Sequence, residues 1–302
     1  MKNVQMLNMG DGAASRNIES GDVGARQDST CGAGRAPNGH RLDGSERRAP
    51  KLGQPNKSKK VTADEVLRSF NTWAFKREQP SDQDMLQQFV AESIERDEPV
   101  SFVLYWGKGP RDRVDAPDIA CLDYLNSLGQ RVGSVYEPGA AFTLIFTDTH
   151  AKLNGYTPQS AQRYFSAIES RAHHQYGFSG CLLGHLTKAA LDEGPVETVT
   201  EVPADIREIL LDSANKWYRG EGSVEQGALK YYNCNMVERR AVELAFPRSI
   251  FITFNGSKLL NLFPSRLPIF YMYSLRRGFS IKPWFLSVDF TATDAPARER
   301  VA

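Results

Sequence analysis

Continuous apolar runs alternate with helix-spaced apolar faces between about residue 61 and residue 290. Segment 141–146 is an unbroken run of apolar and β-propensity residues, and segment 100–106 is mostly apolar; such runs are typical of strands buried on both faces of a parallel sheet. Between them, segment 115–132 carries Ile119, Leu122, Leu125 and Leu128 at helical spacing. These three segments predict a βαβ unit with a right-handed crossover.

Helix and strand signals continue on both sides of this unit. Thr62 to Glu65 is a capping box before an apolar face of Val66, Leu67, Phe70 and Trp73. Further helices are predicted at 81–94, 157–176, 205–217 and 225–246, and further strands at 177–183, 248–254 and 267–275. A glycine turn at Gly278 then predicts a C-terminal β-hairpin. The alternation predicts an α/β fold with a mostly parallel sheet flanked by helices.

Composition divides the chain into three parts. Residues 1–60 hold nine glycines and eleven Lys and Arg against six Asp and Glu, and we expect a disordered, basic, Gly-rich tail. Residues 61–290 are predicted to form a single α/β catalytic domain, and residues 291–302 a flexible tail. The whole chain has a net charge of +1, so its charge favours neither nucleic acid nor an anionic membrane as a general partner.

Targeting and cysteine signals are weak. The four cysteines are far apart and contain no CxxC pair, so they indicate neither a disulfide framework nor a structural zinc site. No stretch reaches the roughly 20 apolar residues of a membrane span, and the first residues lack a signal-peptide core. We therefore expect a cytoplasmic protein without a membrane partner.

Candidate catalytic residues follow the first two predicted strands. Lys108 follows the first strand, while Asp148 and His150 follow the second, within the stretch 136–150. Because the carboxyl ends of parallel strands meet at one edge of a sheet, we expect the three side chains to converge. A desolvated lysine there could act as a base or form a Schiff base, whereas a neighbouring carboxylate would keep it charged as an anion holder. Lys108 as a solvated loop lysine, and Asp148 as a cap for the next turn, are the structural alternatives.

A metal site is not predicted. Asp148 and His150, two apart on an extended segment, would point the same way and could bind a metal or share a proton. His185, near the end of the third strand, could reach them, but no third ligand is obvious from the sequence.

A second cluster of candidates surrounds the predicted hairpin. Arg276, Arg277 and Lys282 place three cations near Tyr271 and Trp284. Such a group suits a phosphate or carboxylate, because arginine can donate two parallel hydrogen bonds. A basic, aromatic hairpin could also stack on single-stranded nucleic acid, and an exposed, solubilising turn is the structural alternative.

Several short motifs, taken in order, resemble the isonitrile (isocyanide) synthase family, also called the pyoverdine/dityrosine biosynthesis family. They are Gly107-Lys108, Pro117-Asp118, Tyr136-Glu-Pro-Gly-Ala140, Thr147-Asp148, Ala245-Phe-Pro-Arg-Ser-Ile250 and Lys282-Pro-Trp284, and they span about residues 63–287. The resemblance implies a Rossmann-like fold without a dinucleotide or other cofactor. It also implies conversion of an amino acid's α-amino group to an isonitrile, with ribulose 5-phosphate as carbon donor.

The resemblance also implies roles for the candidate residues and for partners. Lys108 would handle the sugar carbonyl or a proton, Asp148 would act as acid or base, and Arg276, Arg277 or Lys282 would hold a phosphate or carboxylate. The partners would be an amino acid, a sugar phosphate and a downstream oxygenase of the same secondary-metabolite pathway. His150 lies outside the matched motif.

Two positions differ from the family pattern. The family usually has serine-aspartate-glycine where this chain has Thr147-Asp148-Thr149, and its arginine and histidine are replaced by Phe251 and Asn255. A different amino-acid or sugar-phosphate transferase on the same fold is therefore the alternative enzyme. The alternative that is not an enzyme is a nucleic-acid or regulatory binding module that uses the basic tail and the Arg276 hairpin.

Overall fold

The computed structural model describes residues 61–109, 111–273, 275–276 and 279–280. Within these ranges a five-stranded, fully parallel sheet has the order β3-β2-β1-β4-β5. Its strands are β1 (Val100–Trp106), β2 (Ala140–Phe146), β3 (Ser179–Leu182), β4 (Ile250–Thr253) and β5 (Ile269–Tyr271). The chain adds β2 and β3 on one side of β1 and β4 and β5 on the other, which is the Rossmann-like order. The predicted fold class is confirmed.

Helices occupy most of the chain between the strands. They are α1 (Ala63–Phe70), α2 (Gln83–Arg96), α3 (Ala116–Gly133), α4 (Asp148–Leu153), α5 (Pro158–Tyr176), α6 (Leu183–Asp192), α7 (Ala204–Trp217) and α8 (Val224–Ala245), with a 3₁₀ helix at Ser257–Leu262. Side-chain caps fix several of their starts, as the sequence predicts. Thr62 and Glu65 form a capping box at α1, and Thr157 accepts a hydrogen bond from the Ser160 amide at α5.

Both faces of the sheet are buried. Successive residues of each strand point to opposite sides, so each strand contributes to a core on either face. On β1, Phe102, Leu104 and Trp106 pack into a core formed with α1, α3 and α5. Val103 points to the other face, where a second core includes Leu183 of α6 and Val242 of α8. A third cluster joins α7, α8 and the 3₁₀ helix. Burial on both faces explains why the strands read as continuous apolar runs.

The β1–α3–β2 unit forms as the sequence predicts. All seven residues of β1 pair in parallel with β2, from Val100 with Ala140 to Trp106 with Phe146. The turn before β2 has Gly139 at φ +72°, in the left-handed region that glycine adopts without strain. The two strands therefore end side by side, and the segments after Trp106 and Phe146 start from the same edge of the sheet.

Three local predictions are wrong. Residues 147–150 do not continue the strand, because α4 begins at Asp148 directly after β2. His185 lies exposed inside α6, which begins where β3 ends, so it does not extend a third strand end. Trp73 lies beyond the end of α1 and its side chain is 59% exposed, with the Lys76 ammonium over its ring, so it is not part of the apolar face.

The end of the described chain contains the predicted hairpin. β6 (Leu275–Arg276) and β7 (Phe279–Ser280) pair antiparallel. The predictions for residues 1–60 and 291–302 lie outside the described residues. No helix in the described ranges is long and apolar enough to cross a membrane.

Candidate active site

A cavity of about 250 Å³ lies at the carboxyl edge of the sheet, where the strand order reverses between β1 and β4. Open α/β sheets bind ligands at this position, because the loops after the two strands diverge there. Gly107 and Lys108 after β1, Thr147 after β2, and Phe254 and Asn255 after β4 all line it. Its remaining wall comes mainly from α7, α8 and the 3₁₀ helix, and it is rich in aromatic rings: Tyr105, Tyr156, Trp217, Tyr231, Phe251 and Phe263.

A buried histidine–glutamate pair lies beside this cavity. His150, on α4, lines the cavity, and its Nε2 lies 2.8 Å from Oε2 of Glu238 on α8. The Glu238 side chain is fully buried and that of His150 is 27% exposed. The ring of Tyr231 stacks on the imidazole, with the two ring centroids 5.9 Å apart. The histidine is thus held in one orientation, with part of its ring available to a ligand.

The electrostatics favour the ionised form of this pair. Burial alone lowers the pKa of His150, but the charge and hydrogen bond of Glu238 outweigh it and hold that pKa above its ordinary value. Burial raises the pKa of Glu238, and His150, with hydrogen bonds from Thr149 and Cys234, reverses this and holds the pKa below its ordinary value. An imidazolium beside a carboxylate can donate a proton to a reacting oxygen or nitrogen and take it back.

Cys234 completes the cluster around Glu238. Its thiol lies 3.0 Å from Oε1 of Glu238, and the Thr149 hydroxyl donates to the same oxygen at 2.7 Å. His150, Cys234 and Glu238 are metal-binding types whose ligand atoms lie within 4.8 Å of one another. Both carboxylate oxygens are nevertheless engaged in hydrogen bonds, and burial raises the pKa of the Cys234 thiol far above its ordinary value. The arrangement is that of a closed hydrogen-bond network.

Lys108 lines the cavity, but its ammonium is fully engaged with protein groups. Nζ donates to the carbonyls of Gly109 and Arg111, at 2.8 and 2.6 Å, and to Oδ1 of Asp112, at 3.0 Å. It also lies over the Tyr156 ring at 4.5 Å, and the side chain has no exposed surface. A lysine has three N–H donors, and here all three are used. Lys108 is therefore neither a solvated loop lysine nor a free amine; it ties the loop after β1 into the cavity wall.

The Pro117-Asp118 motif lies under the same loop. Asp118 is fully buried, and its carboxylate accepts hydrogen bonds from the Tyr164 hydroxyl at 2.6 Å and the Asp115 amide at 2.9 Å. The Arg111 guanidinium pairs with Asp115 and approaches Asp118 at 3.4 Å. Burial raises the pKa of Asp118, with Tyr164 and then Asp115 opposing the rise. This motif supports the loop that carries Lys108.

Asp148 is separated from His150, although both lie in the first turn of α4. Its Oδ1 accepts the Gly184 amide at 2.8 Å, in the first turn of α6. A Cβ on Gly184 would lie 2.6 Å from the other carboxylate oxygen, so glycine is needed for this close approach. Asp148 is not among the cavity-lining residues. The capping alternative fits its position, although the helix it caps is α6.

In the part of the chain that the structure describes, none of the substrate-binding candidates near the hairpin lines the cavity. Tyr271 is 1% exposed and packs in the second core on β5, and it is not itself among the cavity-lining residues. The backbone of Arg276 is described within β6. Arg277, Lys282 and Trp284 lie outside the described residues, so their assignment to substrate binding stays a prediction.

Glu238 is the main site residue that the sequence analysis missed. It falls within the predicted helix 225–246, where acidic residues usually face solvent. A signal was present: Tyr231, Glu238 and Val242 recur at helical spacing, so the carboxylate lies within the buried stripe of α8. A charge within an apolar stripe indicates a buried partner or a site.

One comparison with a solved structure shows the fold. The solved structure of the PvcA protein from Pseudomonas aeruginosa matches with a TM-score of 0.52 and 18% sequence identity, over 73% of this chain and 87% of that one. The structure of a tyrosyl-tRNA synthetase with L-tyrosine from Archaeoglobus fulgidus matches with a TM-score of 0.41 and 12% identity, over 71% and 65% of the two chains. No protein-family model and no curated protein matches the chain.

Proposed function

We propose that this protein is a biosynthetic enzyme related to isonitrile synthases, which acts on the α-amino group of an amino acid with ribulose 5-phosphate as carbon donor. The observation that carries the proposal is the His150–Glu238 pair beside a cavity at the point where the strand order reverses. Such a pair suits proton transfer, and the cavity suits a small molecule.

The fold supports the same proposal. The fold is shared with the PvcA protein, and an α/β, Rossmann-like fold is the one that the resemblance to isonitrile synthases implies. Several of those motifs also border the cavity. Gly107-Lys108 forms part of its wall, Pro117-Asp118 supports that wall, and Thr147 lines it.

Proton transfer is the chemistry that the site residues supply best. When an amine condenses with a ketone to form an imine, the carbonyl oxygen leaves as water and must gain protons. His150, whose protonated form is favoured by Glu238, is placed to donate one. Lys108, with Asp112 beside it, shapes the cavity and adds positive charge at its wall. Asp148 acts indirectly, by fixing α4 against α6.

A second enzyme function is favoured by two cavity residues. Phe251 and Asn255, which stand where the family has arginine and histidine, both line the cavity. Phe251 is fully buried and packs edge-to-face on Tyr105. The differences thus fall where a substrate would bind, which supports a different amino acid, or a different amino-acid or sugar-phosphate transfer, on the same fold.

Mass spectrometry tests the proposal. The protein is incubated with pooled amino acids and ribulose 5-phosphate, and products are sought that carry one carbon more than an amino acid in the pool. We expect one product series in the wild type, loss of it in His150→Ala, and full retention in His174→Ala, which changes an exposed histidine of α5. An amino-acid product without the added carbon would favour the second function. If the folded protein gives no product, both proposed enzyme functions are contradicted.

A further inference from the structure

Tyr105 has a buried hydroxyl that no described residue satisfies. Tyr105 lines the cavity from β1, and its ring packs edge-to-face on Phe251 with centroids 5.0 Å apart. Among the described residues, its hydroxyl has no hydrogen-bond partner and is shielded from solvent. Two other buried tyrosines have partners: Tyr136 donates to the Ser93 carbonyl at 3.0 Å and Tyr164 to Asp118 at 2.6 Å. The buried Tyr271 hydroxyl also has no partner among the described residues, but Tyr271 is not among the residues that line the cavity.

An unsatisfied buried hydroxyl costs free energy, so it requires an explanation. A Phe in the same place would fill the same space without that cost. Tyr105 itself belongs to the lining of a cavity large enough for a small molecule, so a ligand bound there is the candidate for the missing partner.

The chemistry around Tyr105 restricts what that partner can be. Burial, and then the negative charge of Glu238, raise the pKa of the Tyr105 phenol well above its ordinary value, so the group is a donor. The same carboxylate opposes a second anion at this point. A neutral oxygen, such as a carbonyl or hydroxyl, can accept the hydrogen bond without that repulsion.

We infer that Tyr105 is a substrate-binding residue whose hydroxyl donates a hydrogen bond to a neutral oxygen of the ligand at the His150–Glu238 end of the cavity. The identity of the ligand rests on the proposed function, in which the ketone or a hydroxyl of the sugar phosphate supplies the oxygen. The carbonyl would then lie between Tyr105 and His150, where one group orients it and the other transfers a proton.

Calorimetric titration with ribulose 5-phosphate and urea unfolding of the ligand-free protein test this inference together. The variants are Tyr105→Phe and a matched control, Tyr176→Phe, whose hydroxyl donates to Asp123 at 2.8 Å on α3 and which does not line the cavity. We expect Tyr105→Phe to weaken ribulose 5-phosphate binding about tenfold, because one hydrogen bond to the ligand is lost. Tyr176→Phe should leave that binding unchanged.

Unfolding of the free protein should give the opposite order. Tyr105→Phe should unfold at the same or a higher urea concentration than the wild type, since it removes an unpaired hydroxyl, whereas Tyr176→Phe should unfold at a lower one. The inference is overturned if Tyr105→Phe is destabilised as much as Tyr176→Phe, because the hydroxyl then has a partner in the free protein. It is also overturned if Tyr105→Phe binds as tightly as the wild type, and the proposed function survives that result. If the wild type does not bind ribulose 5-phosphate, the sugar phosphate is ruled out both as the ligand of Tyr105 and as the carbon donor of the proposed function.

Discussion

His150 and Glu238, 88 positions apart in the sequence, meet with 2.8 Å between Nε2 and Oε2 at the edge of the cavity. One comes from a six-residue helix that directly follows β2, and the other from the middle of the 22-residue helix α8. The contact joins the strand end that the sequence singles out to the helix that forms much of the opposite wall. It also explains how a carboxylate can be fully buried at this position.

Glu238→Gln should remove most of the activity while keeping the side-chain shape. The loss of a carboxylate that holds a proton-transfer group typically costs about two orders of magnitude or more in turnover. The His150 pKa should also fall, because the charge that raises it is gone. Turnover and an NMR titration of the imidazole measure the two effects. Glu243→Gln, on the same helix, should change neither, and an unchanged His150 titration in Glu238→Gln would contradict the assignment.

The same pair should give the protein a stability optimum in mildly acidic solution. The pKa of His150 is raised above 6.5, so its contribution is complete below that pH and is lost as pH rises through the folded value. The pKa of Glu238 is lowered below 4.5, so its contribution is complete above that pH and is lost as pH falls through the folded value. The stability difference between the wild type and a His150→Asn, Glu238→Gln double variant should therefore be largest between pH 4.5 and 6.5. Urea unfolding across pH measures it, and a flat difference would count against the ion pair.

Lys108→Met should destabilise the protein by about 2–4 kcal/mol, because two buried carbonyls lose their donor along with an ion pair. Asp112→Asn should cost under about 1 kcal/mol, since the Asp112 side chain is 55% exposed and the amide can still accept. Urea unfolding compares the two variants. Equal stability of Lys108→Met and the wild type would show that the ammonium does not stabilise the loop after β1. Lys108 would then again be a candidate for a free catalytic amine.

Asp148→Asn should keep both fold and turnover, whereas Asp148→Ala should cost about 0.5–2 kcal/mol of stability, the usual effect of losing a helix cap. The reason is that an amide oxygen can still accept the Gly184 N–H and a methyl group cannot. Thermal unfolding and turnover are measured for both variants. A large drop in turnover for Asp148→Asn with unchanged stability would restore the acid–base role that the family resemblance implies.

The sequence predicts the elements of this fold better than its site. Residues 100–106 are a strand in both the prediction and the structure, since a continuous apolar run with a defined turn behind it leaves few alternatives. The helix starts at Thr62 and Thr157 follow from local capping chemistry. Helix α4 was missed because six residues are too few to show a helical period. On this helix the side chains of Asp148 and His150 do not point the same way: Asp148 contacts α6 and His150 contacts α8.

The site itself depends on tertiary contacts that the local pattern does not contain. Glu238 is buried only because α8 packs against α4 and α6, and Lys108 is engaged only because the loop after β1 folds back over it. Both residues could be proposed as unusual from the sequence, but their partners could not be named. The orphaned hydroxyl of Tyr105 is visible only in the folded protein.

The position of β4 has a consequence for how the molecule reaches its active form. Phe102 of β1 pairs with Ile250 of β4, although β2, β3 and six helices intervene in the sequence. Contacts of such long sequence separation form slowly during folding, because a large loop must close before they are made. The β1–β2–β3 half can assemble earlier, whereas the cavity has both of its sides only after β4 docks. Ligand binding should therefore appear in the last phase of refolding, after most helix has formed.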